Sequence, residues 1–301
     1  MAEPIRTDAL VTNINQREQP STHFEWLRRL FANRSATIGL TIVLIYVAMA
    51  FAGLAAITPY PANEQHPKAA ERLQPPGDHY FMGSDQFGRD IFSRVISGST
   101  YSLRVAVLSV TVAALFGTII GLLAGYFGGL PDIIIMRIMD IFFAFPALLL
   151  ALSIVAALGP GPNNAIPAIA LVYTPIFARV ARAPVLAVKN MEFVTAARSI
   201  GTRHRRIIFR HVLPNSLGPV LVTISLALSW ALLTEAGLSF LGLGPQPPDS
   251  SWGLMLQEGR NLSEIAPWLV IFPGLAIMFG VLGFNLLGDG LRDVFDPRLR
   301  R

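Results

Sequence analysis

The amino-acid sequence predicts an all-α membrane protein with about six transmembrane helices. Three observations carry this prediction: the scarcity of charge, the long uncharged stretches and the placement of the basic residues. Hydrophobic residues make up 52% of the 301 residues, charged residues make up only 14%, and the mean hydropathy is +0.52. A soluble protein carries roughly 25% charged residues, which keep its surface wetted. The surplus apolar surface of this chain must therefore face lipid.

Long stretches without charge mark the spans, because a helix needs about 20 apolar residues to cross a bilayer core about 30 Å thick. The stretch from 141 to 178 is too long for a single span, and a run of glycine, proline and asparagine divides it at 159–164. The predicted spans are 36–57, 105–127, 141–158, 165–178, 217–233 and 266–288.

The basic residues are distributed unevenly between the segments that join these spans, and cytoplasmic segments carry the excess in membrane proteins. Eighteen of the 24 lysines and arginines lie in the two terminal tails and in the segments after the second and fourth spans. We therefore expect both termini in the cytoplasm. The resulting segments are a cytoplasmic tail (1–35), the first span (36–57), an extracytoplasmic loop (58–104), a transmembrane domain of five spans (105–290) with a cytoplasmic loop (184–215), and a cytoplasmic tail (291–301).

The extracytoplasmic loop becomes apolar toward its end. Its last part, Gly83 to Gly98, reads GSDQFGRDIFSRVISG. Ile91, Phe92 and Val95 recur there at helical spacing, which predicts a short amphipathic helix on the outer surface.

Several classes of function lack their characteristic residues in this sequence. Cysteine is missing, so disulfides and thiolate metal sites are excluded, and the five histidines show no zinc-ligand spacing. The ATP-binding pattern GxxxxGK[ST], a Ser-His-Asp set and the HExxH motif are missing as well. The formal charge of +5 gathers beside the apolar stretches, where it sets membrane orientation. We therefore expect no enzyme activity, no metal, no cofactor and no nucleic-acid partner.

The second span contains glycine at every fourth position, at Gly117, Gly121 and Gly125. Glycine at this spacing lets a neighbouring helix approach until the two backbones touch. That neighbour is either another helix of the same bundle or a helix of a second membrane subunit.

Three ionisable residues lie near the ends of predicted spans, where a charge in lipid is costly and often functional. Arg137 and Asp140 are about one helical turn apart, so we expect them to pair with each other at the cytoplasmic interface. Glu235 lies near the outer end of the fifth span, where we expect it to reach headgroups or water. The middle of each span lacks a carboxylate, which weakens the case for a proton-coupled transporter.

The cytoplasmic loop between the fourth and fifth spans is the most informative segment. Apolar residues such as Val194 and Ala197 recur at helical spacing with arginines between them, which predicts two short helices joined at Gly201. Small side chains suit a helix that presses into a groove of a partner protein, and glycine permits a sharp turn. The alternative is a basic amphipathic segment that rests on anionic lipid. The candidate functional residues are Thr195, Ala196, Ala197, Gly201, His211, Leu213 and Pro214.

The spacing of these residues resembles the EAA loop of the permease subunits of ABC importers. That pattern is Glu-Ala-Ala-x-x-x-Gly followed further on by an apolar residue, leucine and proline. This chain has TAARSIG at 195–201 and VLP at 212–214, so Thr195 stands where the family has glutamate. Three further stretches resemble the second permease subunit of the dipeptide and oligopeptide branch, at 83–90, 238–244 and 285–293.

The resemblance implies a type I ABC importer permease that takes part in ATP-driven import of peptides across a bacterial inner membrane. The implied partners are a second homologous permease subunit, two cytoplasmic ABC ATPase subunits, an extracytoplasmic solute-binding protein and membrane lipid. ATP would bind to the ATPase subunits and not to this chain. Ala196 and Ala197 would pack into a cleft of an ATPase, and the segment from Gly83 to Gly98 would help to receive the binding protein.

Two alternatives to peptide import stay open on the sequence alone. The same machinery imports glutathione or nickel in related systems, and specificity rests largely with the binding protein. An ion-coupled secondary transporter would also be a basic protein with about six spans.

Overall fold

The computed structural model describes residues 31–65 and 71–295, and every regular element in these ranges is a helix. Most of the N-terminal tail and the last six residues of the chain, both predicted to be cytoplasmic, lie outside the described ranges. In chain order the helices are α1 (Arg34–Leu54), α2 (Ile91–Phe127), α3 (Gly129–Phe143), α4 (Ala147–Leu158), α5 (Pro162–Val188), α6 (Glu192–Ser199), α7 (His204–Ile207), α8 (Leu213–Phe240), α9 (Trp252–Gly259) and α10 (Trp268–Phe295). A π-helical turn (Ile208–Val212) joins α7 to α8 without a break.

Within the described ranges, five helical units are long and apolar enough to cross a membrane. These units are α1, α2, α5, the continuous α7–α8 unit and α10. A sixth crossing exists only if α3 and α4 together count as one span. The predicted fold class, an all-α membrane protein with about six spans, is confirmed.

α1 begins at a side-chain cap. The amide oxygen of Asn33 accepts hydrogen bonds from the backbone N–H groups of Ser35 and Ala36 at 3.0 and 3.2 Å. The 21 residues of the helix, at about 1.5 Å each, reach about 31 Å, which matches the bilayer core. The predicted first span, 36–57, is displaced from the helix by only two or three residues at each end.

α2 differs most from its prediction. The helix that begins at Ile91 continues for 37 residues to Phe127, so the separate amphipathic helix predicted on the outer surface is wrong. Ile91 and Val95 are buried in the main core, and Arg94 between them is 0% exposed. The apolar spacing that suggested a surface helix instead marks the side of α2 that packs into the core, and the arginine within it is buried as well.

The predicted third span is broken. α3 and α4 are bent by 87° relative to each other. The break contains Pro146, which has no N–H to donate and disfavours helical backbone at the residue before it. α4 has 12 residues and is about 18 Å long, which is too short to cross a bilayer core by itself.

The glycine stripe of α2 faces α5. A Cβ atom on Gly117 would lie 2.5 Å from the carbonyl oxygen of Thr174, and one on Gly121 would overlap the carbonyl oxygen of Ala178. Gly125 meets the last turns of α5 in the same way. Any side chain at these positions would force the helices apart. The structure therefore places the stripe in packing within the chain, and that contact occupies the face that a second subunit would need.

A buried charged cluster lies at the end of the bundle where α2 begins. One guanidinium nitrogen (Nη2) of Arg89 and one of Arg94 donate to Oε2 of Glu258 in α9, at 3.0 and 2.9 Å. Arg89 also donates through Nε to Asp85. Buried charges persist only when they are paired, so the cluster fixes the loop before α2 against α9. The two arginines are turned into the chain and are not available to a protein on that side.

Glu235 lies in the same half of the bundle, near the end of α8. Its side chain is 1% exposed, and its Oε1 accepts a hydrogen bond from the hydroxyl of Ser239 at 2.7 Å. The expectation that it reaches headgroups or water is wrong, because helix packing covers it on all sides. A carboxyl group buried in this way requires hydrogen-bond donors from the chain itself.

We expect Gly121→Ala to lower the thermal stability of the protein in detergent, because the added methyl group overlaps the Ala178 carbonyl and separates α2 from α5. The cost of such overpacking is about 1–3 kcal/mol. The measurement is the unfolding midpoint from size-exclusion chromatography of heated samples. Gly218→Ala is the matched control, since a Cβ atom there meets nothing within 4 Å. Equal midpoints for the two variants would contradict this role of the stripe.

Candidate functional site

The candidate functional site is α6 with the chain on either side of it, at the end of the bundle where α5 ends and α7 begins. We call this the α6 end. Glu192 lies in the first turn of the helix and Arg198 in the last, each where the helix dipole favours its charge. Val194 and Ala197 are buried, whereas the other residues of α6 are exposed. One face of α6 therefore packs on the bundle and the other is open.

The inner face of α6 covers a small hydrophobic cluster that is separate from the main core. Residues from α2, α5, α6, α7 and the π turn meet in it, so a displacement of α6 acts on all of these elements. The cluster comprises Leu122, Tyr126, Val185, Val188, Val194, Ala197, Ile207, Ile208 and Val212.

The two alanines that were expected to act together lie on different faces. Ala197 is 9% exposed and belongs to the small cluster, whereas Ala196 is exposed. Consecutive residues of a helix point about 100° apart, so a helix this narrow cannot present both to one groove. The expectation that both enter a partner's cleft is wrong for Ala197, which packs on its own chain.

The open face of α6 carries small and polar side chains. Its residues are spaced by three and four positions, which places them in one row along the helix. The hydroxyl of Ser199 donates to the carbonyl oxygen of Thr195 at 3.0 Å, so it is satisfied within the helix. Its one charged member, Glu192, lies at the start of the row, and the remaining side chains are small and uncharged, so another protein can approach them closely. The row comprises Glu192, Thr195, Ala196 and Ser199.

α6 ends at Ser199, and Gly201 two residues later has a φ angle of +77°. The N–H of Gly201 donates to the carbonyl of Arg198 at 3.0 Å, and the N–H of Thr202 donates to that of Ala197 at 3.1 Å. These two bonds form a Schellman motif. A Cβ atom on Gly201 would meet nothing within 4 Å, so the backbone conformation, and not a lack of space, favours glycine here.

The second short helix that was predicted after Gly201 is the beginning of a longer unit. α7, the π turn and α8 run without interruption from His204 to Phe240. The ring of His211 lies 6.3 Å from that of Phe193, and Leu213 packs against the small cluster. Pro214 is exposed and has no N–H for the carbonyl four residues before it. The π turn changes the hydrogen-bond register immediately before this gap.

Two side chains tie the end of α2 to the chain on either side of α6. The hydroxyl of Tyr126 and Nδ1 of His204 share a hydrogen bond of 2.7 Å. Nζ of Lys189 donates to the carbonyl oxygen of Gly125 at 2.7 Å. Sequence reasoning missed these residues, because the partners are 78 and 64 positions apart and no spacing connects them.

Two ion pairs hold α3 against α5 near the same end. Nε and Nη2 of Arg182 donate to the two carboxylate oxygens of Asp132, each at 2.6 Å. Nη2 of Arg179 donates to Asp140 at 2.7 Å. The expected pair of Arg137 with Asp140 is therefore wrong, since the bend after α3 lays this helix along α5 and supplies a nearer arginine. The bidentate Arg182–Asp132 pair is the stronger of the two by geometry.

Comparison with known families gives two matches to this chain. Residues 117–301 match the family described as binding-protein-dependent transport system inner membrane component. That match extends from the glycine stripe to the end of the chain and covers more than half of it. The chain belongs to this family. Residues 24–76 of the permease also match the N-terminal TM domain of oligopeptide transport permease C, which places α1 in that domain.

Named relatives cover nearly the whole permease. A dipeptide transport system permease protein of Alkalihalophilus pseudofirmus is 47% identical over 92% of this chain and 90% of its own length. A glutathione transport system permease protein of Pectobacterium atrosepticum is 44% identical over 92% of this chain and 91% of its own length. A solved structure of the MetNI methionine ABC transporter matches 64% of this chain and 94% of the compared chain, with a TM-score of 0.49 and 18% identity. The resemblance to transport permeases, which are not an enzyme family, is confirmed.

Substitution of the two alanines of α6 by leucine should separate their roles. We expect Ala197→Leu to lower the unfolding midpoint, because the larger side chain overpacks the small cluster at a cost of about 1–3 kcal/mol. Ala196→Leu is the matched control and should unfold like the unmodified protein, since its side chain points away from the chain. Thermal unfolding in detergent measures both. A larger loss for Ala196→Leu would invert the assignment of the faces.

Proposed function

We propose that this permease supplies half of the translocation pathway of an ATP-driven importer of di- or oligopeptides in a bacterial inner membrane. The observation that carries the proposal is the exposed row of α6. The opposite face of this helix packs on the small cluster, where the ends of α2, α5 and α7 meet. An ATPase subunit that displaces this row would therefore transmit the movement to several membrane helices through a single contact. The dipeptide permease of Alkalihalophilus pseudofirmus, 47% identical, supports the substrate class.

In the proposed mechanism, the open face of α6 fits a groove of a cytoplasmic ATPase subunit. Closure of the ATPases on ATP would move α6 as a rigid body. Ala197 and Val194 would transmit that movement to the small cluster. Lys189 and the hydrogen bond between Tyr126 and His204 would carry it to the end of α2. The tilt of α2 and α5 would then switch the pathway between its outward and inward openings.

The proposed assembly contains a second homologous permease subunit, two ATPase subunits and an extracytoplasmic binding protein. ATP binds to the ATPase subunits in this proposal, and the present chain needs no cofactor. The excess of basic residues supports a cytoplasmic location for the α6 end and for both termini. Contact with the binding protein falls to exposed side chains of the opposite end, because Arg89 and Arg94 are buried.

Glutathione is the second candidate substrate, supported by the 44% identical permease of Pectobacterium atrosepticum. The deciding experiment reconstitutes the complete importer in liposomes and compares uptake of a labelled dipeptide, glutathione and Ni²⁺. Uptake of the dipeptide, driven by ATP and insensitive to ionophores, is the expected result. Uptake of glutathione alone, or of Ni²⁺ alone, would show that the substrate is that compound and not a di- or oligopeptide. Uptake that requires an ion gradient and survives without the ATPases would overturn the proposal.

We expect Ala196→Trp to reduce the amount of ATPase that co-purifies with the permease by about tenfold, because a bulky side chain would hold α6 out of the groove. The unfolding midpoint of the isolated permease should not change. Ala55→Trp is the control, since Ala55 is also exposed but lies at the other end of α1, away from α6. Full retention of the ATPase by Ala196→Trp would show that α6 is not its contact.

Substitutions at Gly201 test whether the turn after α6 couples the two reactions. We expect Gly201→Asn to keep most uptake, because asparagine tolerates a positive φ angle. Gly201→Val should lose uptake while the complex still hydrolyses ATP, since a β-branched residue resists this conformation. The readout is the ratio of peptide imported to ATP hydrolysed in liposomes. Equal ratios for the two variants would remove the turn from the mechanism.

A further inference from the structure

A cleft lined by arginines opens at the beginning of the α7–α8 unit. Its lining residues are Arg203, Arg205, Arg206, Phe209 and Arg210, and all five are exposed. The cleft has a volume of about 720 Å³, enough for a phosphate group with the glycerol part of a lipid. No carboxylate contributes to its lining in the described part of the chain. We call it the arginine cleft.

Within residues 31–65 and 71–295, no carboxylate forms an ion pair with an arginine of the arginine cleft. The ion pairs among described residues join other arginines to Asp85, Asp132, Asp140 and Glu258. Like charges this close repel one another, and an anion that bridges them removes the repulsion. The planar guanidinium group matches the oxygens of a phosphate, which it binds through two parallel hydrogen bonds. The chemistry of the cleft therefore favours a phosphate group.

The position of the cleft along its helix indicates the depth at which that phosphate lies. The predicted fifth span begins at Leu217, seven residues after Arg210. At about 1.5 Å per residue, Arg210 is about 10 Å beyond the apolar stretch. The headgroup layer on each side of a bilayer is about 5–8 Å thick, so Arg210 lies just beyond its outer limit, within reach of a long side chain. Arg206 lies about 6 Å further out, one helical turn before Arg210. Phe209, 55% exposed among the arginines, is the type of apolar residue that interfacial helices place at the boundary of headgroups and acyl chains.

We propose that the arginine cleft binds the phosphate headgroup of an anionic phospholipid. The cleft contains no residue of α6, so a lipid there leaves the open row of α6 free for a protein partner. A bound headgroup fixes the start of the α7–α8 unit at the membrane surface. The Gly201 turn connects this fixed point to α6 directly, so the lipid also sets the height of α6 above the membrane.

The test measures lipid binding by the full-length permease purified in detergent. Dioctanoyl-phosphatidylglycerol, dioctanoyl-phosphatidylcholine and inorganic phosphate are titrated separately, and bound molecules are counted by native mass spectrometry. We expect phosphatidylglycerol to bind well below the concentrations that the other two probes require. Arg206→Gln with Arg210→Gln should weaken its binding on the order of 30-fold. Each arginine near an anionic lipid surface contributes about 1 kcal/mol of attraction, and about 1.36 kcal/mol corresponds to a factor of ten.

Two further variants make the result specific. Arg206→Lys with Arg210→Lys retains the charge and should keep most of the binding, and it also controls for misfolding of the glutamine variant. Arg198→Gln with Arg292→Gln removes the same charge from exposed positions outside the cleft and should bind normally. Unchanged phosphatidylglycerol binding in the glutamine variant would overturn the proposal, as would equal binding of phosphatidylcholine or of free phosphate. If the Arg206→Gln, Arg210→Gln variant no longer co-purified with the ATPase but still bound phosphatidylglycerol, the proposal would be overturned and the cleft would be assigned to the ATPase.

Discussion

The contact between α2 and α5 is the interaction on which the rest of the structure depends. In a bilayer, lipid tails are as apolar as the helices, so two spans associate only if their surfaces fit closely. Gly117, Gly121 and Gly125 leave about two turns of one face of α2 without Cβ atoms, and α5 fills that space with its backbone and, near Gly125, with Val185. The two helices then end side by side, and the short chain after α5 places α6 directly on their junction.

The spans could be predicted from the sequence because contact with lipid leaves a compositional signature, namely long stretches without charge. Their boundaries were missed where tertiary contacts hide that signature. Arg94 has the appearance of a surface residue in the sequence, yet its partner Glu258 is 164 positions away and both belong to a buried cluster. The bend between α3 and α4 had a local signal in Pro146, but the absence of charge on both sides suggested a continuous span.

At the site, the positions of α6 and of the turn at Gly201 were predictable, because helical periodicity and a glycine between two periodic segments are both local features of the sequence. The orientation of α6 was harder to predict. The apolar spacing of Val194 and Ala197 already indicated a buried face, whereas the resemblance to a family motif grouped Ala197 with Ala196. The structure resolves the conflict in favour of periodicity, since burial of apolar side chains decides how a short amphipathic helix rotates.

The contacts directly beneath α6 differ in kind from those at the opposite end of the bundle, and the proposed mechanism requires this difference. The ion pairs of Arg179 and Arg182 near the α6 end join α3 to α5 and do not involve α6. Removal of one partner from a buried ion pair typically costs about 3–5 kcal/mol, and such pairs lose strength steeply when their geometry changes. The cluster of Arg89, Arg94 and Glu258 therefore makes the end opposite α6 resistant to distortion. The small cluster beneath α6 is apolar, and apolar contacts are not directional, so side chains can slide while they remain buried. When α6 is displaced, the apolar contacts beneath it can rearrange, whereas the ion pairs at the opposite end of the bundle keep their geometry. Under these conditions the long helices tilt without separating from one another.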